Sequence, residues 1–432
     1  MTRPLGYKHQ GYKHHENLRG KSNISESARN VAGSGGMSRS SQVYENQQNL
    51  RCGQHSGGVV VVGGSAAGLL TAARVAAGGR NVRVLDAKCG LDPAPRSLIV
   101  THHFREQLRD VAASSIVNEI RRFELFTDGR SAEIALHNPD LIIERARLIV
   151  SLAGEAKRAG ADLSFDTRFL GLAPNSHGLR LEVDSGGRRE ELHADAVVGA
   201  DGATSRVGRA AGWPPVETVP LVQAIVRLPK DCRADTTRVW FVPDDTPYFY
   251  WLIPEGESRG ALGIIGEGSG QETKRRIERF LEKKHMEPLG WQGARIPVYR
   301  RWVPVERRVG NGKVFLVGDA AAQVKVSTVG GIVTGFRGAQ GVAEALLGSG
   351  GKRELRALRR ELVTHWLIRK TMHRFEQRHY SYLVDLLNAA TRESLGEIHR
   401  DQSIRLLWSV LRRQPRLVLL GLRGLLMGRR AR

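Results

Sequence analysis

Apolar residues in this chain fall into short unbroken runs set off by glycine, the pattern of buried strands joined by tight turns. Val59, Val60, Val61 and Val62 are four consecutive valines, which read as a strand buried on both faces, as in a parallel sheet. A glycine-rich turn at 63–68, an alanine-rich helical run and a second β-branched run from Val82 to Asp86 follow. Buried runs of the same kind recur before Asp201 and before Asp319. Residues 104–120 read as a helix. Segments 123–126 and 132–136 alternate around Asp128-Gly129, a hairpin signal. Apolar Leu148, Ile149, Leu152 and Ala156 predict an amphipathic helix over 142–160, ending at Gly160. From 215 to 305 the pattern becomes alternating and aromatic, as in an antiparallel sheet with one apolar face. Residues 351–432 read as helical. The fold class is therefore α/β: a mainly parallel sheet built from 58–214 and 306–350, an inserted antiparallel β domain at 215–305, and a C-terminal helical region.

Composition changes this picture in two places. Residues 1–57 are polar, rich in Gly, Ser, Asn, Gln and His, without apolar periodicity, and read as a disordered basic tail. The whole chain of 432 residues carries a formal charge of +22, a balance that draws in anionic partners and says nothing about fold. Arginine concentrates in 351–432, where apolar clusters alternate with Arg412, Arg413, Arg416 and Arg423. That pattern suits an amphipathic helix pair resting on an anionic bilayer surface, or a domain-capping pair with a solvated basic face. Nucleic acid is disfavoured, because no recognition module or stacking platform accompanies the charge. Three cysteines, Cys52, Cys89 and Cys232, are too few for a disulfide framework and suit a reducing cytosol, with peripheral contact at the inner membrane face. Neither these nor His14, His15, His365, His373 and His379 are spaced as metal ligands, so no metal site is expected.

Candidate chemistry sits at the ends of the three buried runs. After the first, Gly63, Ser65, Ala66, Ala67 and Gly68 form a dinucleotide-type turn into a helix whose free N–H groups suit a pyrophosphate. Asp86 and Ala87 lie about twenty residues on, where a carboxylate can accept ribose hydroxyls. Ser65 stands at the second fingerprint glycine, so a side chain occupies the point where backbone should approach phosphate. The second run ends at Asp201-Gly202 and the third at Gly318-Asp319-Ala320, followed by Gly330-Gly331-Ile332 and a small-residue helix. Small residues there permit close approach by a flat cofactor or by a neighbouring helix. Arg145 could touch a phosphate or face water. Phe249, Trp251 and Ile253 would line a substrate wall.

Taken together, GGSAAG with Asp86, GADGATSRVGR, and GDAAAQVKVSTVGGI resemble the three FAD-binding stretches of aromatic-hydroxylase-type flavoproteins. The details are most similar to the geranylgeranyl reductase family, whose third motif reads approximately GDAAGQVKPTTGGGI and whose YxWxFP wall motif is echoed by Phe249, Trp251, Ile253 and Pro254. Ala322, Val326 and Val329 depart from a glycine, a proline and a glycine of that third motif. The resemblance implies a Rossmann-like FAD-binding domain, and a hydride passed from reduced flavin to a prenyl C=C bond of an isoprenoid or prenylated lipid. It also implies NAD(P)H as a transient donor or an acidic electron carrier on the basic surface. Tyr250 and Cys89 are the nominated proton donors. Two alternatives stay open: a monooxygenase or halogenase on the same fold, and a flavin-free membrane-surface binding protein.

Overall fold

A computed structural model describes residues 58–300 and 302–426. The basic tail expected at 1–57 lies outside the described residues.

The parallel sheet has six strands in the order Glu306–Val309, Gly312–Leu316, Ala196–Gly199, Val59–Val62, Val82–Leu85 and Asp162–Ser164. Only the Glu306–Val309 edge pairs antiparallel. The valine run shows why such strands are uniformly apolar. Val59 and Val61 point into a core with the helices Ala66–Ala77, Arg145–Arg158 and Ile332–Leu346. Val60 and Val62 point into a second core closed by the three-stranded sheet of 167–194. With successive side chains on opposite faces and both faces covered, every position must be apolar.

The second sheet has eight strands, in the order Pro288–Pro297, Thr218–Arg227, Arg259–Ile265, Tyr250–Pro254, Thr236–Trp240, Ile116–Thr127, Arg130–Glu144 and Ser97–Val100. It is antiparallel except where Thr236–Trp240 runs parallel to Ile116–Thr127. Three of its strands thus come from 97–144, which the chain order assigned to the first domain. The two domains are interwoven in sequence. The hairpin turns at Asp128 (φ 41°) and Gly129 (φ 73°) as its sequence signals. Helix 104–120 shrinks to His103–Leu108 and Asp110–Ala113, because the β-branched residues from Ile116 onward join the hairpin.

One face of this sheet packs on the helix Gly270–Lys283 through Ile277, Phe280 and Leu281. The other face looks back toward the first sheet. The C-terminal helices Lys352–Met372, Gln377–Asp385, Ala389–Glu397, Ser403–Arg413 and Arg416–Leu426 pack along the junction. Among the described residues, no helix is long and apolar enough to cross a membrane.

Candidate active site

A continuous cavity of about 970 Å³ runs from the carboxyl ends of the parallel strands to the inner face of the second sheet. Its polar end is built around the first turn. Gly63 adopts φ +107°, and a Cβ there would lie 2.5 Å from the Ala200 carbonyl oxygen; only glycine permits strand and turn to pass so closely. Gly68 is the second tight point, since a Cβ would meet the Gly63 oxygen at 2.4 Å. Gly68 therefore packs helix on strand and does not line the cavity. Ser65 is no obstruction: its hydroxyl turns back to accept the Gly68 N–H at 3.2 Å and caps the Ala66–Ala77 helix. Asp86 accepts the N–H groups of Gly64 (2.8 Å) and Lys88 (2.9 Å), which fixes its carboxylate at the cavity wall with acceptor capacity left over.

Seventeen of the residues nominated from sequence line this cavity: Gly63, Ser65, Ala66, Ala67, Asp86, Ala87, Arg145, Asp201, Gly202, Gly318, Asp319, Gly330, Gly331, Ile332, Phe249, Trp251 and Ile253. Four do not. Gly68 and Ala320 are buried behind it. Cys89 is exposed beside the lining residues Lys88 and Gly90. Tyr250 points the opposite way from Phe249 and Trp251, because neighbours on a strand alternate faces. Its ring stacks on Phe280 at 4.0 Å, and its hydroxyl donates to Asp245 (3.0 Å) and lies 3.2 Å from the Arg276 carbonyl. Burial and the neighbouring Asp245 push its pKa up. The geometry corrects the expectation that Tyr250 or Cys89 gives up a proton in the site.

Asp201 serves the strand-to-helix turn in which it stands. Its carboxylate accepts from the Ser205 hydroxyl and from the N–H groups of Arg206 (2.6 Å) and Val207 (3.1 Å). It is engaged in holding the short helix Arg206–Ala210, so what it offers the cavity is chiefly the backbone turn at Gly202 (φ +84°). The small-residue helix Ile332–Leu346 likewise uses most of its small positions for packing. A Cβ on Gly338 would lie 2.0 Å from Gln323 Oε1, which itself accepts the Gly318 N–H at 2.7 Å.

Other residues in and behind the wall are not singled out by the sequence. Arg96 joins Arg145 beside Asp319, and its Nε is buried without a protein partner. Burial lowers the pKa of Arg96 and Arg145 and raises that of Asp319, while the two guanidiniums pull the Asp319 carboxyl back down. An unpartnered buried guanidinium nitrogen lining the same cavity as a helix N-terminus and a ribose-type carboxylate is a donor set suited to a pyrophosphate, so the residues present fit FAD. Farther along, Gln223 receives the Trp251 indole N–H at 3.2 Å. Lys325 is paired with Asp401, which also accepts from Thr101. Behind the wall, buried Arg369 donates to the carbonyls of Val326 (2.9 Å), Pro247 (2.8 Å) and Ser327 (2.7 Å). The rest of the wall is mainly apolar, with Phe123, Leu125, Val239, Phe241, Met372 and Leu406, interrupted by Thr237, Ser327, Thr328 and Arg400.

A parallel sheet with its glycine turn at the carboxyl ends, a ribose-type acid and an arginine pair defines the class: an FAD-binding flavoprotein. The FAD binding domain family matches residues 57–355. A digeranylgeranylglycerophospholipid reductase 2 of Methanopyrus kandleri is 30% identical over 298 residues, covering 64% of this chain and 73% of that protein. The digeranylgeranylglycerophospholipid reductase of Methanosarcina acetivorans is 26% identical over 306 residues, covering 66% of this chain and 74% of that protein. Among solved structures, a geranylgeranyl bacteriochlorophyll reductase-like protein of Thermoplasma acidophilum superposes with a TM-score of 0.69 at 19% identity, covering 85% of this chain and 99% of that one. The flavin-dependent halogenase CmlS shares the fold, with a TM-score of 0.62 at 13% identity, covering 84% of this chain and 78% of that one. The chain belongs to the geranylgeranyl reductase family of FAD-dependent oxidoreductases.

Proposed function

We propose that this enzyme reduces C=C bonds in the prenyl chains of a geranylgeranyl-type lipid. The observation that carries this reading is the continuity of one cavity, polar where a dinucleotide fits and apolar where a long hydrocarbon fits. The names of the relatives from Methanopyrus kandleri and Methanosarcina acetivorans support it. When bound, reduced FAD supplies the hydride. The chain's part is to hold and exclude. Gly63, Ser65, Ala66 and Ala67 would present the helix N-terminus to the pyrophosphate with Arg96 and Arg145, Asp86 would take the adenosine ribose, and Asp319 the ribityl side. Gly330, Gly331 and Ile332 would border the isoalloxazine. Phe249, Trp251 and Ile253 would hold the hydrocarbon against it. An isolated alkene offers no charge to grip, so positioning dominates the catalysis.

The basic helices Ser403–Arg413 and Arg416–Leu426 supply a route for such a substrate. They expose Ile404, Trp408, Val418, Leu419 and Leu422 among arginines, while Leu406, on the first of them, lines the cavity. A bilayer bearing anionic lipid is the surface this face fits. The electron donor would be NAD(P)H bound transiently or an acidic carrier protein.

The test is anaerobic incubation of the reduced holoenzyme with prenylated glycerophospholipids, followed by mass spectrometry. The expected product gains two hydrogen atoms per double bond. A product that gains an oxygen atom when air is admitted would mark a hydroxylase instead. Purified protein that holds no flavin would mark a binding protein.

A further inference from the structure

Adding hydrogen across a C=C bond consumes one hydride and one proton, and with Tyr250 and Cys89 outside the cavity the proton needs another source. The tight turn joined by the Lys325–Gly330 bridge brings Ser327 to the cavity wall. The Ser327 hydroxyl is hydrogen-bonded to Nδ1 of His365. On the other side of that ring, Nε2 lies at ion-pair distance from Glu361 Oε1, 3.2 Å, off the line of a direct hydrogen bond. His365 and Glu361 are four residues apart on the helix Lys352–Met372, so both side chains emerge on one face. Ser327, His365 and Glu361 are buried, with exposures of 8%, 2% and 6%. Both ends are held by hydrogen bonds: the Arg369 guanidinium donates to the Ser327 carbonyl at 2.7 Å, and the Glu361 carboxylate accepts the Ser403 N–H at 2.8 Å.

Resting on the prenyl-lipid reading above, we infer that Glu361, His365 and Ser327 form a proton relay that ends on the substrate alkene. The reactive form is the one that fills as pH falls: burial keeps His365 neutral at higher pH, and when it is charged it carries a proton on Nδ1 toward Ser327 and one on Nε2 on the side of the Glu361 carboxylate. The Ser327 O–H bond breaks as its proton forms a C–H bond at the alkene carbon that does not receive the hydride from reduced flavin. The Ser327 oxygen takes the Nδ1 proton of His365, which is left neutral, and Glu361 stays ionised. Water recharges the imidazole between turnovers. Electrons balance because the hydride pair fills the position opened at the other alkene carbon.

The arrangement is suited to letting a proton go. The charged groups that face His365 are Glu361 from its own helix, Lys325 from the turn and Asp401 from the segment ahead of the helix Ser403–Arg413. Burial, the dominant influence, and Lys325 both lower the His365 pKa; Glu361 and Asp401 oppose them. Lys325 itself is committed to Asp401, and Arg369 to its three carbonyls.

The experiment compares wild-type holoenzyme with Ser327→Ala, Ser327→Thr and His365→Gln. Histidine-labelled protein is titrated by NMR, and each dithionite-reduced holoenzyme is mixed anaerobically with a geranylgeranylated glycerophospholipid in a single turnover. Expected are a His365 titration that moves in Ser327→Ala, unchanged reduction of the flavin by dithionite, and lipid reduction slowed about 100-fold in Ser327→Ala and His365→Gln. Ser327→Thr restores the rate, and the fall of the wild-type rate as pH rises through the His365 pKa disappears in His365→Gln. A Ser327→Ala rate close to wild type, or a His365 titration indifferent to that substitution, overturns the relay. A wild-type holoenzyme that leaves every prenyl lipid unreduced overturns the functional reading instead, and the NMR arm still judges the hydrogen-bonded pair separately.

Discussion

Two departures from the family's third motif land at the same kind of backbone. Ala322 has φ +52° and Val329 φ +59°, the left-handed region where a Cβ is strained and a β-branched one most of all. Glycine stands at both places in the motif that GDAAAQVKVSTVGGI resembles, so the chain keeps the conformation and substitutes the residue. At Val329, relief of strain offsets the lost contact with the Trp251 and Phe249 cluster. Val329→Gly is therefore expected to change stability by less than about 1 kcal/mol, where an unstrained, partly buried valine would cost more; urea unfolding checks it. Lys325 and Asp401 behave oppositely. Their side chains are 6% and 3% exposed, and removing one leaves the other charged in the interior. Asp401→Asn should cost about 3–5 kcal/mol, while the paired change of Lys325 to Met and Asp401 to Leu recovers much of it. Asp86 and Ser65 are legible in the sequence because each serves the turn it stands in or the one about twenty residues before it, through Gly64 and Gly68. Arg96 and Arg369 are not, because the group that explains each lies far along the chain or is the cofactor itself; Lys325 stands in the third motif, but its partner Asp401 lies 76 residues on.

At the level of elements, periodicity marks which residues lie in strands and does not say which face is the inner one. The stretch YFYWLIP has apolar or aromatic residues on both sides because both are covered, by the cavity on one and by the helix Gly270–Lys283 on the other. That helix carries its own signals, Ser269 and Glu272 at its start and Ile277, Phe280 and Leu281 at helical spacing among charges, but it is embedded in a stretch whose aromatic alternation predicts strand. The identity of the inner face follows from it, and so does the placement of Tyr250. The glycine turn, by contrast, carries its reason within itself. Gly63→Ala puts a methyl group 2.5 Å from a backbone oxygen at φ +107°, and no rotamer relieves backbone against backbone. The expected result is protein purified without flavin and destabilised by more than about 2 kcal/mol, read from the flavin released on denaturation and from thermal melting. Arg369 plays the comparable part between elements, tying the helix Lys352–Met372 to the loops at 247 and 326–327. Arg369→Met strands three buried carbonyls, each worth about 1–3 kcal/mol, and should loosen Ser327 along with its turn.

For the whole molecule, protons and lipid bring the buried and the exposed charges into play. His365, His373 and His399 all have pKa values lowered by burial. They stay neutral in the fold to lower pH than in the unfolded chain, which protonates near about pH 6.5. Stability from these residues is complete above that value and is lost as pH falls through it toward their folded values, so the urea midpoint should decline from about pH 7 to about pH 5 and decline less in His373→Gln. The exposed charge has a different use. Arg405, Arg412, Arg416 and Arg423 are exposed on the same helix pair as Trp408, which is 74% exposed. Each arginine near an anionic bilayer contributes about 1 kcal/mol, within a screening length of about 8 Å at physiological salt. The tryptophan adds an apolar anchor that salt does not screen. Two variants therefore separate the contributions. Replacing Arg412 and Arg416 by Gln should weaken binding to vesicles containing phosphatidylserine by about ten- to thirtyfold and leave binding to neutral vesicles unchanged. Trp408→Ala should weaken both and reduce the salt sensitivity of neither. Because Leu406 sits on this helix and also lines the cavity, the same two variants should slow reduction of a lipid embedded in vesicles while sparing a short prenyl substrate dispersed in detergent. Equal losses on both substrates would mean that these helices shape the cavity and do not seat the enzyme on its lipid.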